Sequence, residues 1–190
     1  FEFPSDELSY ALFLTDAKLV RRDSLSVIDT SKNYLISRIR RACARKGKEM
    51  NLIIKEEPNF RLFWDEILIP NILEKHGAKP VHTVEEIKKL HKKFPNNIRH
   101  FNVYHQEKIV AGTTIFVSNN VAHPQYVSGN SSKNELGSLD YLYNHLITEV
   151  FKDKKYFDFG ISNEEGGRKL KEGLIFWKES FGARTLTQDF

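Results

Sequence analysis

The spacing of apolar residues changes along the chain, and each change predicts an element. Apolar and polar positions alternate over residues 99–105, 108–117 and 121–128, joined by short turns at Gln106-Glu107 and Asn119-Asn120. These three strands should form an antiparallel meander. Leu139, Leu142, Tyr143, Leu146, Ile147 and Val150 fall at helical spacing, and the Lys152 to Lys155 charge cluster separates this helix from a short strand over 156–159. Upstream, residues 51–55 read as a strand, and 59–75 as an apolar-periodic helix that must bend or break near Pro70 and end at Gly77. Thr83 caps a helix over 84–93, with Glu86 completing a capping box and Pro95 just past the end. Ser162-Asn163-Glu164-Glu165 spells a second box, so the last helix should start there, turn Leu170, Leu174, Trp177 and Phe181 inward, and stop at Gly182 before a final strand over 183–190.

The first 49 residues read as a separate unit. Strand candidates at 8–14, 18–21 and 25–28 are divided by Thr15-Asp16 and Arg22-Asp23-Ser24, which predicts a small meander. A basic linking helix follows, capped by Ser31 and running to Lys46, with Leu35, Ile39 and Ala42 on one face, Arg38, Arg40, Arg41 and Arg45 elsewhere, and Gly47 at its end. From residue 50 the element order is β-α-α-β-β-β-α-β-α-β, an α/β fold with a mixed sheet and one helical crossover after the meander.

Composition narrows this picture modestly. With 190 residues, 40% of them hydrophobic, the chain is globular and holds one full domain rather than two. A net charge of +4 suits phosphate-bearing ligands without demanding them. Cys43 is the lone cysteine, which excludes an internal disulfide and a C-x-x-C site and fits a reducing, cytoplasmic setting. No run approaches the roughly 20 apolar residues of a membrane span, and the N-terminus lacks a signal-peptide pattern. Opening on Phe1-Glu2-Phe3-Pro4 and stopping inside a strand-like stretch, the sequence is expected to be a fragment of a longer protein.

Particular residues add to the element order. Lys155-Tyr156-Phe157-Asp158-Phe159-Gly160-Ile161-Ser162, followed by Gly173-Leu174-Ile175-Phe176-Trp177-Lys178-Glu179-Ser180-Phe181-Gly182-Ala183, resembles the ending of Fem-like N-acyltransferases of the GNAT superfamily. Ile39-Arg40-Arg41-Ala42 with Lys46-Gly47 is similar to the helix that precedes the acyltransferase domain in those proteins. The resemblance covers residues 50–190 in element order and is strongest over the last 35 or so. It implies a GNAT-like domain over 50–190, with 1–49 as the tail of an upstream half-domain. It also implies transfer of an acyl or aminoacyl group from acyl-CoA or aminoacyl-tRNA to an amine, with no metal and no covalently bound cofactor, and nucleic acid as a partner only if the donor is aminoacyl-tRNA. Two departures stand out: the usual GNAT phosphate loop Q/R-x-x-G-x-G/A is absent, as it often is in Fem-like members, and Trp177 replaces the usual Phe before the lysine. A catalytically inactive ligand- or partner-binding domain of the same fold is the alternative. Asp158-Phe159-Gly160 is no kinase element, since no glycine-rich loop, V-A-I-K or H-R-D motif accompanies it.

Acyl transfer needs a neutral amine, a carbonyl held beside it and donors for the developing oxyanion. GNAT-type folds supply the place by splaying the fourth and fifth strands, here 121–128 and 156–159. His123 on the first strand suits a base or proton relay, although a lone strand histidine is more often structural. Gln125, a candidate substrate contact, shares its face, whereas alternation sends Tyr126, the third catalytic candidate with His123 and Lys178, to the other. Lys178 occupies the motif's lysine, which by resemblance binds phosphate or steadies the anionic intermediate, and by residue type alone would simply be solvated. Ser128, Gly129, Asn130, Ser131 and Ser132 form a polar loop before a helix, where amides and hydroxyls can meet a donor phosphate. The plainer reading is a connection whose Ser132 and Glu135 make a capping box. Asp158 is a substrate contact or a side chain that orders the turn after Gly160. The arginine-rich helix over 38–48 is a solvated face in its plain reading and a nucleic-acid contact in the other.

Overall fold

The computed structural model describes residues 6–190; residues 1–5, the start of the 1–49 segment, lie outside the described residues. A seven-stranded sheet forms the centre, in the order β2-β3-β4-β5-β6-β1-β9. The meander stands as its sequence predicts: β3 (Ile98–His105), β4 (Lys108–Val117) and β5 (Val121–Gly129) pair antiparallel in succession, and β2 (Ile53–Glu56) adds to β3. β6 (Tyr156–Ile161) lies parallel to β5, and β9 (Arg184–Asp189) forms the far edge.

The N-terminal meander is not formed. Residues 8–14 belong to α1 (Asp6–Leu14), a helix in which every residue is exposed, and 18–21 carry no regular element. The stretch holds Leu, Ala and Tyr without period-2 alternation, and Asp6 and Glu7 sit where a helix N-terminus favours acids. Residues 25–28 do form a strand, but within β1 (Arg22–Asp29), inserted between β6 and β9 and antiparallel to both. Ile28 and Ile36 join the main core, so the division at residue 49 does not coincide with a break in sheet or core.

α2 (Arg38–Glu49) begins at Ser37, not Ser31: the Ser37 hydroxyl accepts from the Arg40 amide, and the Ser37 amide donates to Ser180 O at 2.8 Å. Its buried face is also different from the one predicted. Leu35, Ile39 and Ala42 are exposed, while Ala44 and Gly47 pack inward against α7. Gly47 does not end the helix; a Cβ there would lie 2.5 Å from the Tyr141 Cβ, so glycine permits the close approach.

On one sheet face, Phe60, Phe63 and Trp64 are fully buried under α3 (Phe60–Phe63), a π turn (Trp64–Leu68), α4 (Ile69–His76) and α5 (Val84–Lys93). Burying each contributes on the order of 2 kcal/mol or more. The helix does not break at Pro70: proline has no amide for the preceding turn, and the chain widens into a π turn instead. Thr83 and Glu86 make the expected capping box. The other face packs on α7 (Ser138–His145) with its π-turn extension Leu146–Val150, and on Trp177 and Phe181, while α2 lies against α7.

Two predicted capping boxes are absent. Ser132 gives no side-chain cap to the four-residue α6 (Lys133–Leu136), which Gly137 ends in a left-handed conformation. Residues 163–170 form a hairpin, β7 (Asn163–Glu164) and β8 (Lys169–Leu170), and the last helix, α8 (Glu172–Glu179), starts nine residues after Asn163. The Asn163 side chain is taken by Asp23 and the Ser24 amide of β1, and Glu165 has positive φ. Leu170 and Leu174 are therefore exposed rather than inward, while Phe181 is buried.

Candidate active site

The site begins with an incomplete strand pair. β5 and β6 share only the partners Val121–Tyr156 and Ala122–Phe157, then diverge, so the backbone beyond Ala122 and Phe157 has no partner across the seam. A groove of about 860 Å³ opens there, walled by β5, β6, the start of β3, the end of β4 and, from the far side, Leu25 of β1 and Gln188 of β9. A bulge in the β4–β5 ladder lies between the pairs Thr114–Tyr126 and Ile115–Pro124 and makes Gln125 the extra residue, exposed in the groove. Bulges beside clefts re-aim side chains in this way.

His123 and Asp158 meet across the seam. The His123 Nδ1 lies 3.2 Å from Asp158 Oδ2 and 3.1 Å from the Asp158 carbonyl oxygen. Asp158 Oδ1 accepts the Gly160 amide at 2.8 Å, so the carboxylate both orients the imidazole and orders the backbone near the end of β6. Gly160 has a φ of 75°, and a Cβ there would sit 3.2 Å from His123 Cε1. Glycine thus permits the turn and leaves room for the ring. The His123 side chain keeps 33% exposure, and its Nε2 has no hydrogen-bond partner among the described residues. An imidazole held by a carboxylate at one nitrogen and open at the other can take a proton from a neighbouring group.

Lys178 is buried at 4% exposure behind the end of β6. Its ammonium donates to Gly160 O at 3.0 Å and Ile161 O at 2.7 Å, two residues that line the groove. Burial pushes its pKa down to about 8, against the opposing pull of Asp158. It does not reach the loop at 129–134 by any hydrogen bond among the described residues.

The remaining predicted residues fall elsewhere. Tyr126 is buried in the aromatic cluster under α3, its ring 5.0 Å from Trp64, and its hydroxyl is bound to the amide and Nδ1 of His82 at 3.1 and 2.5 Å. Burial raises its pKa. It does not face the groove. Nor do Ser128, Gly129, Asn130, Ser131 and Ser132 line it. Asn71 donates to Ser128 Oγ and Gly129 O, and Asn130 Oδ1 accepts the Ser132 amide. Beside that loop, Lys133 has its pKa lowered, first by burial and then by the nearby charge of Lys75. The Glu74 carboxylate opposes this shift, and the sequence does not signal the approach because Lys75 is 58 residues away from Lys133. Leu25 and Gln188 were likewise invisible as groove walls, since only long-range pairing brings β1 and β9 there.

No family model and no curated protein matches the chain. Solved structures do. FemX superposes at a TM-score of 0.67 with 9% identity, over 87% of this chain and 61% of that one. L-PGS from Bacillus licheniformis gives 0.64 with 14% identity, over 96% and 63%. The chain shares the fold of these two structures. It spans about three fifths of the length of these two structures. Within this fold, the diverging β5–β6 seam is where two parallel strands part, and His123, Gln125 and Asp158 are the predicted residues gathered there. Among the described residues no helix is long and apolar enough to cross a membrane.

Proposed function

We propose that the chain is an N-acyltransferase domain that moves an acyl or aminoacyl group from acyl-CoA or aminoacyl-tRNA to an amine. The carrying observation is the open β5–β6 seam with the His123–Asp158 pair across it. The unpaired backbone of β5 offers hydrogen-bond donors to the donor's carbonyl. His123 Nε2 accepts the proton as the amine nitrogen attacks, and Asp158 steadies the imidazolium. The new C–N bond forms, the C–S or C–O ester bond breaks, and the same proton passes from His123 to the departing thiolate or ribose oxygen. Gln125 contacts the acceptor in the groove, and the Lys178 ammonium holds the end of β6 open while its remaining N–H and its charge favour the anionic intermediate. The polar groups of the loop at 128–132 meet a donor phosphate on this reading. On this reading residues 1–49 are the tail of an upstream half-domain that now completes the sheet, and the lone Cys43 accords with a cytoplasmic setting.

Thermal shift of the full-length protein with acyl-CoA esters and with aminoacyl-tRNA, followed by assay for N-acylated amine, tests this. A donor at 100 times its Kd should add about 2.7 kcal/mol of stability, and product should accumulate with the same donor. A shift without product from any amine supports the inactive ligand-binding domain instead. Silence with every donor overturns the donor site altogether.

A further inference from the structure

We infer that the outward face of α2, with the groove it forms against α7, binds a single strand of nucleic acid. This goes beyond acyl transfer and does not require turnover. Six of the twelve residues of α2 are basic and one is acidic. They divide by face. Arg40 turns inward, where Asp140 accepts from it at 2.7 Å and also accepts from the Trp177 indole at 3.0 Å, so this arginine is structural. Arg38, Arg41, Arg45 and Lys48 recur at spacings of three, four and three residues, which confines them to about 80° of the helix surface over a length of roughly 15 Å. All four are exposed, and none forms an ion pair with a described residue.

This line of cations has a lined edge. Arg41, Ala44, Arg45 and Lys48 border a groove of about 300 Å³ whose other wall is Tyr141 and Asn144 of α7. Four free cations in a row are too extended for one phosphate group and match the successive phosphates of a strand. An aromatic ring and a side-chain amide beside the row are the groups that stack on and hydrogen-bond to unpaired bases. An acidic peptide would satisfy the charges and leave that wall unused. The basic helix α5 differs from α2 in carrying two acids, Glu85 and Glu86, in its first turn, where α2 has none.

Fluorescence anisotropy of the full-length protein with labelled RNA and DNA strands of about 12 nucleotides tests the inference. Four phosphate contacts, at about 0.7 each, predict a slope near −2.8 in log affinity against log salt, a loss of roughly 50-fold between about 50 and 200 mM. Arg41→Glu, Arg45→Glu and Lys48→Glu together should weaken binding at least tenfold and flatten the slope toward about −0.7. The Gln versions should weaken it in the same direction with an unchanged circular dichroism spectrum. Lys88→Glu, Lys92→Glu and Lys93→Glu, an equal change of charge on α5, should leave affinity within about twofold. Binding of RNA alone, or of RNA and DNA alike, upholds the surface and states its breadth. The inference falls if neither strand binds at low salt, if both triple variants weaken binding equally, or if polyglutamate competes as well as RNA.

Discussion

β5 meets one neighbour along its length and the other only at its start. Its ladder with β4 runs from Ala111 to Val117 with one bulge, whereas its pairing with β6 ends after Ala122. The histidines of the two regions differ accordingly. On the closed side, His100 is 1% exposed under Phe60, Phe63 and Trp64, with Nδ1 2.9 Å from Thr114 Oγ1 and Nε2 3.0 Å from Asn102 Oδ1. Both nitrogens are used, and burial pushes the pKa down to about 4. On the open side, His123 spends one nitrogen on Asp158 and keeps the other for the groove. A complete ladder makes a histidine part of the core, and an interrupted one leaves it free to do chemistry.

Changes on each side should therefore read out differently. The largest expected effect is on the open side: His123→Gln should lower turnover by about 10² to 10⁴, the scale of losing a general base, with Tm nearly unchanged because the ring is partly exposed. On the closed side the readout is stability. Folding lowers the pKa of His100 from 6.5 to about 4, so the unfolded chain binds a proton first as pH falls. Stability is full above pH about 6.5 and lost toward pH about 4, by on the order of 3 kcal/mol. Melting curves of wild type and His100→Gln across this window should diverge, the wild type losing more; parallel loss would mean that His100 is not the buried neutral group described.

Lys178→Met should reduce turnover by roughly 10² or more. The motif alone predicts little cost to folding, but the ammonium serves two carbonyls while buried, so removing it should also cost about 1–3 kcal/mol, measured by chemical denaturation. Full activity in this variant would reduce the lysine to a strut. The smallest effect is expected for Asp158→Asn, about tenfold in turnover, because the Asp158 carbonyl still holds His123 Nδ1 and the Asn oxygen still accepts the Gly160 amide.

The sequence carried the closed side well. Alternation and the turns at Gln106-Glu107 and Asn119-Asn120 mark β3 to β5, and Thr83 with Glu86 marks α5, because each signal is local. The open side depends on partners far apart in the chain. β1 reads as a short strand, but nothing local places it between β6 and β9, and so Leu25 and Gln188 were not expected at the groove. Asn163 spells the start of a helix until Asp23 and Ser24 claim its side chain. Ser132 and Glu135 spell a box, but the helix they open ends after four residues at Gly137. His123 and Asp158 were each legible as residue types on adjacent strands, and their contact is a product of the seam. Tyr126 was a catalytic candidate even though alternation turned it away from His123, and the structure buries it under α3, bound to His82.

The most direct test of the account is histidine-selective NMR of the full-length protein during titration with acyl-CoA and with aminoacyl-tRNA. A donor that enters the β5–β6 seam should shift the His123 signal saturably and leave His100 in place, because only His123 borders the groove. A donor that binds without moving His123 would contradict the claim that this seam is the site of transfer.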